Sequence, residues 1–326
     1  MKKVLIAILL LGLLPHASAD YIHWVDFRLS APVLRSALEL DMASQGGEQP
    51  LDWIDILALA AAWRGGTGVT VADTQRAAQA LRGDTPPERL PGMAGRYFSY
   101  YREAYGAALG GLAGHFAIRR TDPQTGEAEW IPAYGLKAFS PIAAGYPWSH
   151  YPDFGAQRSY GYARPHLGND ILGALGTPIC AVEGGTVEAL GWNRYGGWRI
   201  GIRSDDRKRY YYYAHLRKDT PYAEGLAVGQ RVQAGDVIGF MGRTGYSAQE
   251  NVNNIETVHL HFGLQLIFDE SQKECDSEIW IDVYPIIELL ASHCSSVARD
   301  PQTGRWERLY PYCDLDAEPI RSAAAR

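Results

Sequence analysis

Four of the chain's nine histidines, His166, His215, His259 and His261, fall within one glycine-punctuated stretch. His259-Leu260-His261 puts two imidazoles on one face of an extended strand, because side chains alternate with period two. That arrangement suits a metal ligand beside a proton-transfer group, and it equally suits a structural histidine pair. His166-Leu167-Gly168-Asn169-Asp170 adds an imidazole and a carboxylate four residues apart, with Gly168 available for a turn between them. Zinc takes such nitrogen and oxygen donors at about 2.0–2.2 Å, and three protein ligands leave a fourth position for water. His215 closes the run Tyr210-Tyr211-Tyr212-Tyr213-Ala214, where alternation predicts that Tyr211, Tyr213 and His215 share a face.

The elements that must position these groups read as short strands. Thr186 to Trp192, Trp198 to Arg203, Arg209 to His215, Arg231 to Phe240 and His259 to Phe268 carry β patterns, separated by turns at Gly184-Gly185, Gly196-Gly197 and Gly235-Asp236. Antiparallel β is the expected architecture, closed by a helix from Tyr284 to about His293. Upstream, residues 31–113 are helical in pattern, with Pro32 to Ser44 after a Ser30 cap, an apolar stretch from Asp52 to Trp63 ended by Gly65-Gly66, and a Thr70/Asp73 capping box. Tyr97, Tyr101 and Tyr105 recur every four residues and predict a core-facing stripe. Residues 114–138 read as strands around an Asp122-Pro123-Gln124-Thr125-Gly126 turn, and residues 139–165 as a Gly, Pro and Tyr-rich arm without a period.

The expected fold class is therefore α+β, an N-terminal helical domain plus a mainly antiparallel β catalytic domain. Its divisions are a signal peptide at 1–19, a mainly helical domain at 20–138, the aromatic arm at 139–165, a β-rich domain at 166–293 and a cysteine-containing tail at 294–326. The leader has Lys2 and Lys3, an apolar run from Val4 to Leu14 and a terminal Ala17-Ser18-Ala19. Eleven apolar residues are too few to span about 30 Å of hydrocarbon, so cleavage after Ala19 and work outside the cytoplasm are expected, with no membrane span left. A net charge of -6 leaves no basic surplus for nucleic acid. Cys180, Cys275, Cys294 and Cys313 lack Cys-x-x-Cys spacing, which argues against a cysteine zinc site and, in an exported chain, for disulfides, with one bridge expected within the tail.

Taken in order, His-x3-Asp, Tyr-Ala-His-Leu and His-Leu-His-Phe-Gly resemble the lysostaphin and LytM-type zinc endopeptidases of bacterial cell walls. Gly176-Thr177-Pro178, Gly185-Thr186-Val187 and the segments 228–232 and 234–239 resemble them too, and the likeness covers roughly residues 160–268. It implies one zinc ion held by His166, Asp170 and His261, with His215 and His259 as the catalytic histidines beside the water that the metal activates. It implies peptidoglycan peptides as the partner and hydrolysis of stems or cross-bridges as the activity. A catalytically silent binding or activator module of the same fold is the alternative, and the intact five-residue set speaks against it. The segment from Tyr246 to Val258 is longer than is usual in the family, and it is expected either to be a tolerated surface insertion or to narrow the cleft. Tyr146, Trp148, Tyr151 and Phe154 of the arm are expected to supply a cleft wall. The helical domain is expected to restrict or position substrate, with passive packing almost as well supported.

Overall fold

The computed structural model describes residues 21–273 and 277–317, so the leader and Cys275 lie outside the described residues. The α+β class holds. The helices are α1 (Ala31–Ser44), α2 (Trp53–Arg64), α3 (Val71–Leu81), α4 (Met93–Leu109) and α5 (Tyr284–Leu290). Asp52 caps α2 by accepting from the Ile54 amide at 2.7 Å, and Gly65 ends it in the left-handed conformation. With Ile56 to Ala62 all fully buried, α2 is the helix the others pack around, as its all-round apolar sequence requires. The Thr70/Asp73 capping box forms, and Asp73 also takes two hydrogen bonds from Arg64. Of the tyrosine stripe on α4 only Tyr105 is fully buried, while Phe98 and Leu109 complete the inward face. Among the described residues no helix is long and apolar enough to cross a membrane.

The site is built on an antiparallel sheet whose strands run in the order Arg231–Val232, Gly185–Asn193, Gly197–Ser204, Arg209–Ala214, His259–Leu266, Asn169–Gly173 and Trp148–His150. A further strand, Ile279–Trp280, extends the edge beside Gln265 and Leu266. One face packs Ile200, Ile202, Tyr211, Tyr213, Phe262 and Leu264 into the core, all nearly or fully buried. The opposite face carries the alternate residues and opens to solvent. The expected strand from Arg231 to Phe240 is broken into Arg231–Val232 and Val237–Phe240, because Gly235 turns in the left-handed region and the second piece pairs with Pro178–Cys180 instead. The arm is less irregular than its composition suggests, since Trp148–His150 joins the large sheet.

The tail is held by pairing rather than by a bridge. Cys180, Cys294 and Cys313 are all free thiols, which corrects the disulfide expectation for the described residues. Cys180 is fully buried, and burial pushes its thiol up to about 12. Cys313 is exposed on Tyr312–Asp314, a strand that pairs with Ala113–Thr121 and so returns the tail to the N-terminal hairpin. Lys137 fixes it there by donating to Asp314 at 3.0 Å and to Asp316 at 3.1 Å.

Arg209 joins the helices to the sheet. It is 1% exposed and donates to the Glu183 carboxylate through Nε at 2.7 Å and Nη2 at 3.1 Å, to Asp206 at 2.8 Å, and to the α4 carbonyl of Ala107 at 2.8 Å. Tyr211 donates its hydroxyl to the same Glu183 at 2.6 Å. The guanidinium thereby satisfies a carbonyl at a helix C-terminus, where positive charge is favoured. Gly111 must lack a side chain, because a Cβ there would collide with Glu183 and Arg209. Replacing Arg209 with Met leaves a buried carboxylate and an open helix end, a loss of about 3–5 kcal/mol by the usual cost of stranding one partner of a buried pair. Urea unfolding should show that loss in R209M and a smaller one in the E183Q/R209M double variant. A single-variant loss below about 1 kcal/mol would show the cluster to be effectively solvated.

Candidate functional site

Register brings the first two predicted donors together. His261 lies directly opposite Asp170 in the antiparallel pair of His259–Leu266 with Asn169–Gly173, so both side chains stand on the open face. Asp170 Oδ1 is 3.2 Å from His261 Nδ1. His166 reaches the pair from the preceding loop, with Nε2 3.0 Å from Asp170 Oδ1 and 2.8 Å from His261 Nδ1. The loop is anchored by two backbone hydrogen bonds, His166 N to Ala156 O at 2.8 Å and Gly155 N to His166 O at 2.7 Å. Gly168 serves close approach rather than a special turn, since a Cβ would come within 2.9 Å of the His261 ring.

These three atoms are the group among the described residues that could hold a metal ion. Zinc bonds of about 2.0–2.1 Å at tetrahedral angles place donors roughly 3.3 Å apart, close to the separations here. Two imidazoles and a carboxylate are also donors that zinc accepts. Burial would lower the His166 pKa, but the hydrogen bonds it donates to Asp153 and Asp170 outweigh it and raise it to about 9. A cation at this position would therefore compete with a proton on His166. Burial works against the Asp170 charge, yet His166 and His261 keep its carboxyl well below the usual range. Burial lowers the His261 pKa.

Outer groups that the sequence did not single out aim these donors. Asp153, nearly buried, accepts from His166 Nδ1 at its backbone oxygen, 3.1 Å, and lies 3.2 Å from it at Oδ2. Arg158 bridges Asp153 at 3.0 Å and Asp170 at 2.9 Å, leaving Asp170 Oδ1 for the cluster. His150 connects Asn169 at 2.6 Å with Glu288 at 2.7 Å, and Asn169 donates to Asp153 at 2.9 Å. Such carboxylate contacts fix the tautomer and orientation of a ligating imidazole.

His215 and His259 complete the constellation. Their rings are 4.7 Å apart, and His215 lies 5.9 Å from His261. His215 does not share a face with Tyr211 and Tyr213, as alternation predicted. It follows the strand end at Ala214 with φ 61°, and this left-handed turn swings its ring into the cleft lined by Tyr210 and Tyr212. The backbone is held by His215 N donating to Gly196 O at 2.7 Å, and the ring by Nδ1 donating to Thr244 O at 2.9 Å. Burial, reinforced by His259 and His261, lowers its pKa well below the ordinary value, so the ring is neutral near pH 7 with Nε2 free to accept a proton. His259 is tied the same way, Nδ1 to Thr257 O at 2.9 Å, with Nε2 3.7 Å from Asp170 Oδ1.

The cleft above these groups is open to solvent and has a volume of about 270 Å³. Its walls differ from the expected ones. Tyr146, Trp148, Tyr151 and Phe154 do not line it; Tyr146 and Trp148 pack against the core instead. The arm contributes Arg158, Arg164 and Pro165, and Tyr195 and Tyr246 adjoin them at the rim. Tyr160 stacks on Tyr246 with centroids 4.6 Å apart. The segment from Tyr246 to Val258 thus reaches the cleft through its first residue, while Asn251 secures the rest by accepting from Trp198 Nε1 at 2.9 Å. No residue of α1 to α4 lines the cleft.

The sequence model of Peptidase family M23 matches residues 164–274. The L-Ala--D-Glu endopeptidase of Bacillus subtilis (strain 168) is 40% identical over 130 residues, 40% of this chain and 38% of that protein. Lysostaphin of Staphylococcus simulans is 37% identical over 98 residues, 30% of this chain and 17% of that protein. The peptidoglycan DD-endopeptidase ShyC of Vibrio cholerae is 30% identical over 102 residues, 31% of this chain and 20% of that protein. The chain thus spans well under half the length of these relatives. The matched segment holds His166, Asp170, His215, His259 and His261 together. Residues 164–274 are therefore similar to peptidase family M23.

Proposed function

We propose that the chain is a zinc-dependent endopeptidase, exported from the cytoplasm, that hydrolyses peptide stems or cross-bridges of bacterial peptidoglycan. The observation that carries this reading is the convergence of His166 Nε2, Asp170 Oδ1 and His261 Nδ1 to within 3.2 Å beside two further imidazoles. Those three atoms would hold the zinc, which when bound supplies a Lewis acid that polarises the scissile carbonyl and lowers the pKa of the attacking water. His215, neutral and fixed at Nδ1 by Thr244, takes a proton at Nε2 and returns one to the leaving amine. His259, oriented the same way by Thr257, stands beside His215 and donates to the developing oxyanion. Asp153 and Arg158 keep the ligands aimed. The names L-Ala--D-Glu endopeptidase and DD-endopeptidase support peptidoglycan as the substrate, and because they denote different bonds they leave the bond to the cleft walls. The charged and apolar leader supports export.

Two variant sets test the roles. His261→Ala and Asp170→Ala should each lose bound zinc by elemental analysis and lose clearing of purified cell wall in a zymogram. Stoichiometric zinc in both variants would overturn the ligand assignment. His215→Ala should keep its zinc and lose turnover by about 10²- to 10⁴-fold, the usual worth of a positioned proton-transfer group. Normal turnover in that variant would reduce His215 to a structural role.

A further inference from the structure

The cleft is positively charged in a chain whose net charge is -6: Arg158, Arg164, Arg199 and Lys273 line it against Asp170 and Glu278. Two of these cations are already committed. Arg158 is paired with Asp153 and Asp170, and Lys273 with Glu188. The other two have no carboxylate within ion-pair distance among the described residues. Arg164 donates to the Tyr160 carbonyl at 2.8 Å and stacks 4.5 Å over the Tyr195 ring. Arg199 has a buried Nε with no hydrogen-bond partner among the described residues. Glu278, the carboxylate at the rim, instead accepts from Trp280 Nε1 at 2.8 Å.

Register places Arg199 relative to the cluster. The pairing Tyr213↔Ile200 continues one step to put Arg199 opposite Ala214, and Ala214 pairs with His261. Arg199 and His261 therefore stand on the same face, two strand spacings or roughly 10 Å apart, with only a methyl between them. Arg199 thus lines the cleft as a cation with no carboxylate partner among the described residues, beside aromatic rings that supply no neutralising charge. Guanidinium forks match carboxylates in shape and charge.

We propose that the cleft selects a peptide bearing a free carboxylate, received by Arg199 with Arg164 as a second cation of the same cleft, within about three residues of the scissile bond at ~3.4 Å per extended residue. Acid-bearing stem peptides are then preferred over uncharged glycyl bridges. This rests on the proposed endopeptidase reading and names the substrate class of the same site. It enters neither the metal ligands nor the proton-transfer histidines.

The test uses the full chain and two synthetic stem peptides that differ only in one group, the free α-carboxylate of a γ-linked D-Glu or its carboxamide. Calorimetric binding and hydrolysis are measured for both. The acid should bind about 10- to 100-fold more tightly, the worth of one charged hydrogen-bond pair. Arg199→Gln, with Arg164→Gln as an independent second variant, should close most of that gap, and Arg199→Lys should keep part of it. Equal binding of acid and amide by the unaltered protein would overturn the proposal, as would an undiminished gap in both glutamine variants. Hydrolysis separates the two readings: equal cleavage of both peptides keeps the endopeptidase and removes the carboxylate preference. A binding preference that Arg199→Gln abolishes, without cleavage of either peptide, supports carboxylate recognition and removes the endopeptidase.

Discussion

The site depends on the register of one strand. His259–Leu266 is hydrogen-bonded along both edges, to Arg209–Ala214 on one side and Asn169–Gly173 on the other. This double pairing sets His261 opposite Asp170 and puts Leu260, Phe262 and Leu264 into the core. A slip of one residue would bury both histidines and expose three large apolar side chains, so the burial that stabilises the sheet also fixes the metal-binding geometry. Only His166 among the three donors is not set by that strand or its partner. It is placed by the loop contacts to Gly155 and Ala156, which explains why an arm without obvious periodicity is nevertheless ordered.

The strand Arg209–Ala214 links this face to the helices. Arg209 at its start holds Glu183, Asp206 and the end of α4, while His215 just beyond its other end reaches the cleft. The helices brace the sheet from the end and face away from the cleft. The cleft is lined by the sheet, the arm and the rim loops and by no residue of α1 to α4, an arrangement that fits packing better than direct contact with substrate.

The five chemical residues were legible because their information is local: residue type, period-two alternation and spacings of two and four. The helical region was equally legible through Asp52, Thr70 and Asp73, whose caps act within three residues. What sequence could not show depends on distant partners. Asp153 and Arg158 look like ordinary polar loop residues until the fold brings them against His166 and Asp170. The orientation of His215 was misread because alternation fails where the backbone turns left-handed, and no glycine marks that position. An even cysteine count suggested bridges, whereas Cys180, Cys294 and Cys313 are free thiols and the tail is secured by strand pairing and Lys137.

The histidine floor and the cleft rim obey different constraints. His215 adopts a backbone conformation that costs a non-glycine residue of order 1 kcal/mol, and it persists because several contacts determine it together. Its amide is held by Gly196 and its ring by Thr244, whose hydroxyl in turn donates to Leu216 O at 2.6 Å. A floor determined this fully is preorganised, so little need reorganise when charge develops on a substrate carbonyl. The rim residues Arg164, Tyr195 and Tyr246 hold one another by stacking, with Arg164 4.5 Å over Tyr195 and 5.7 Å over Tyr246, and they contribute no sheet hydrogen bond to the donors. Substitutions there can change which peptide enters without moving His166, Asp170 or His261. On the proposed reading, the choice of peptide at the rim is therefore separable from the donor geometry, which strand register sets.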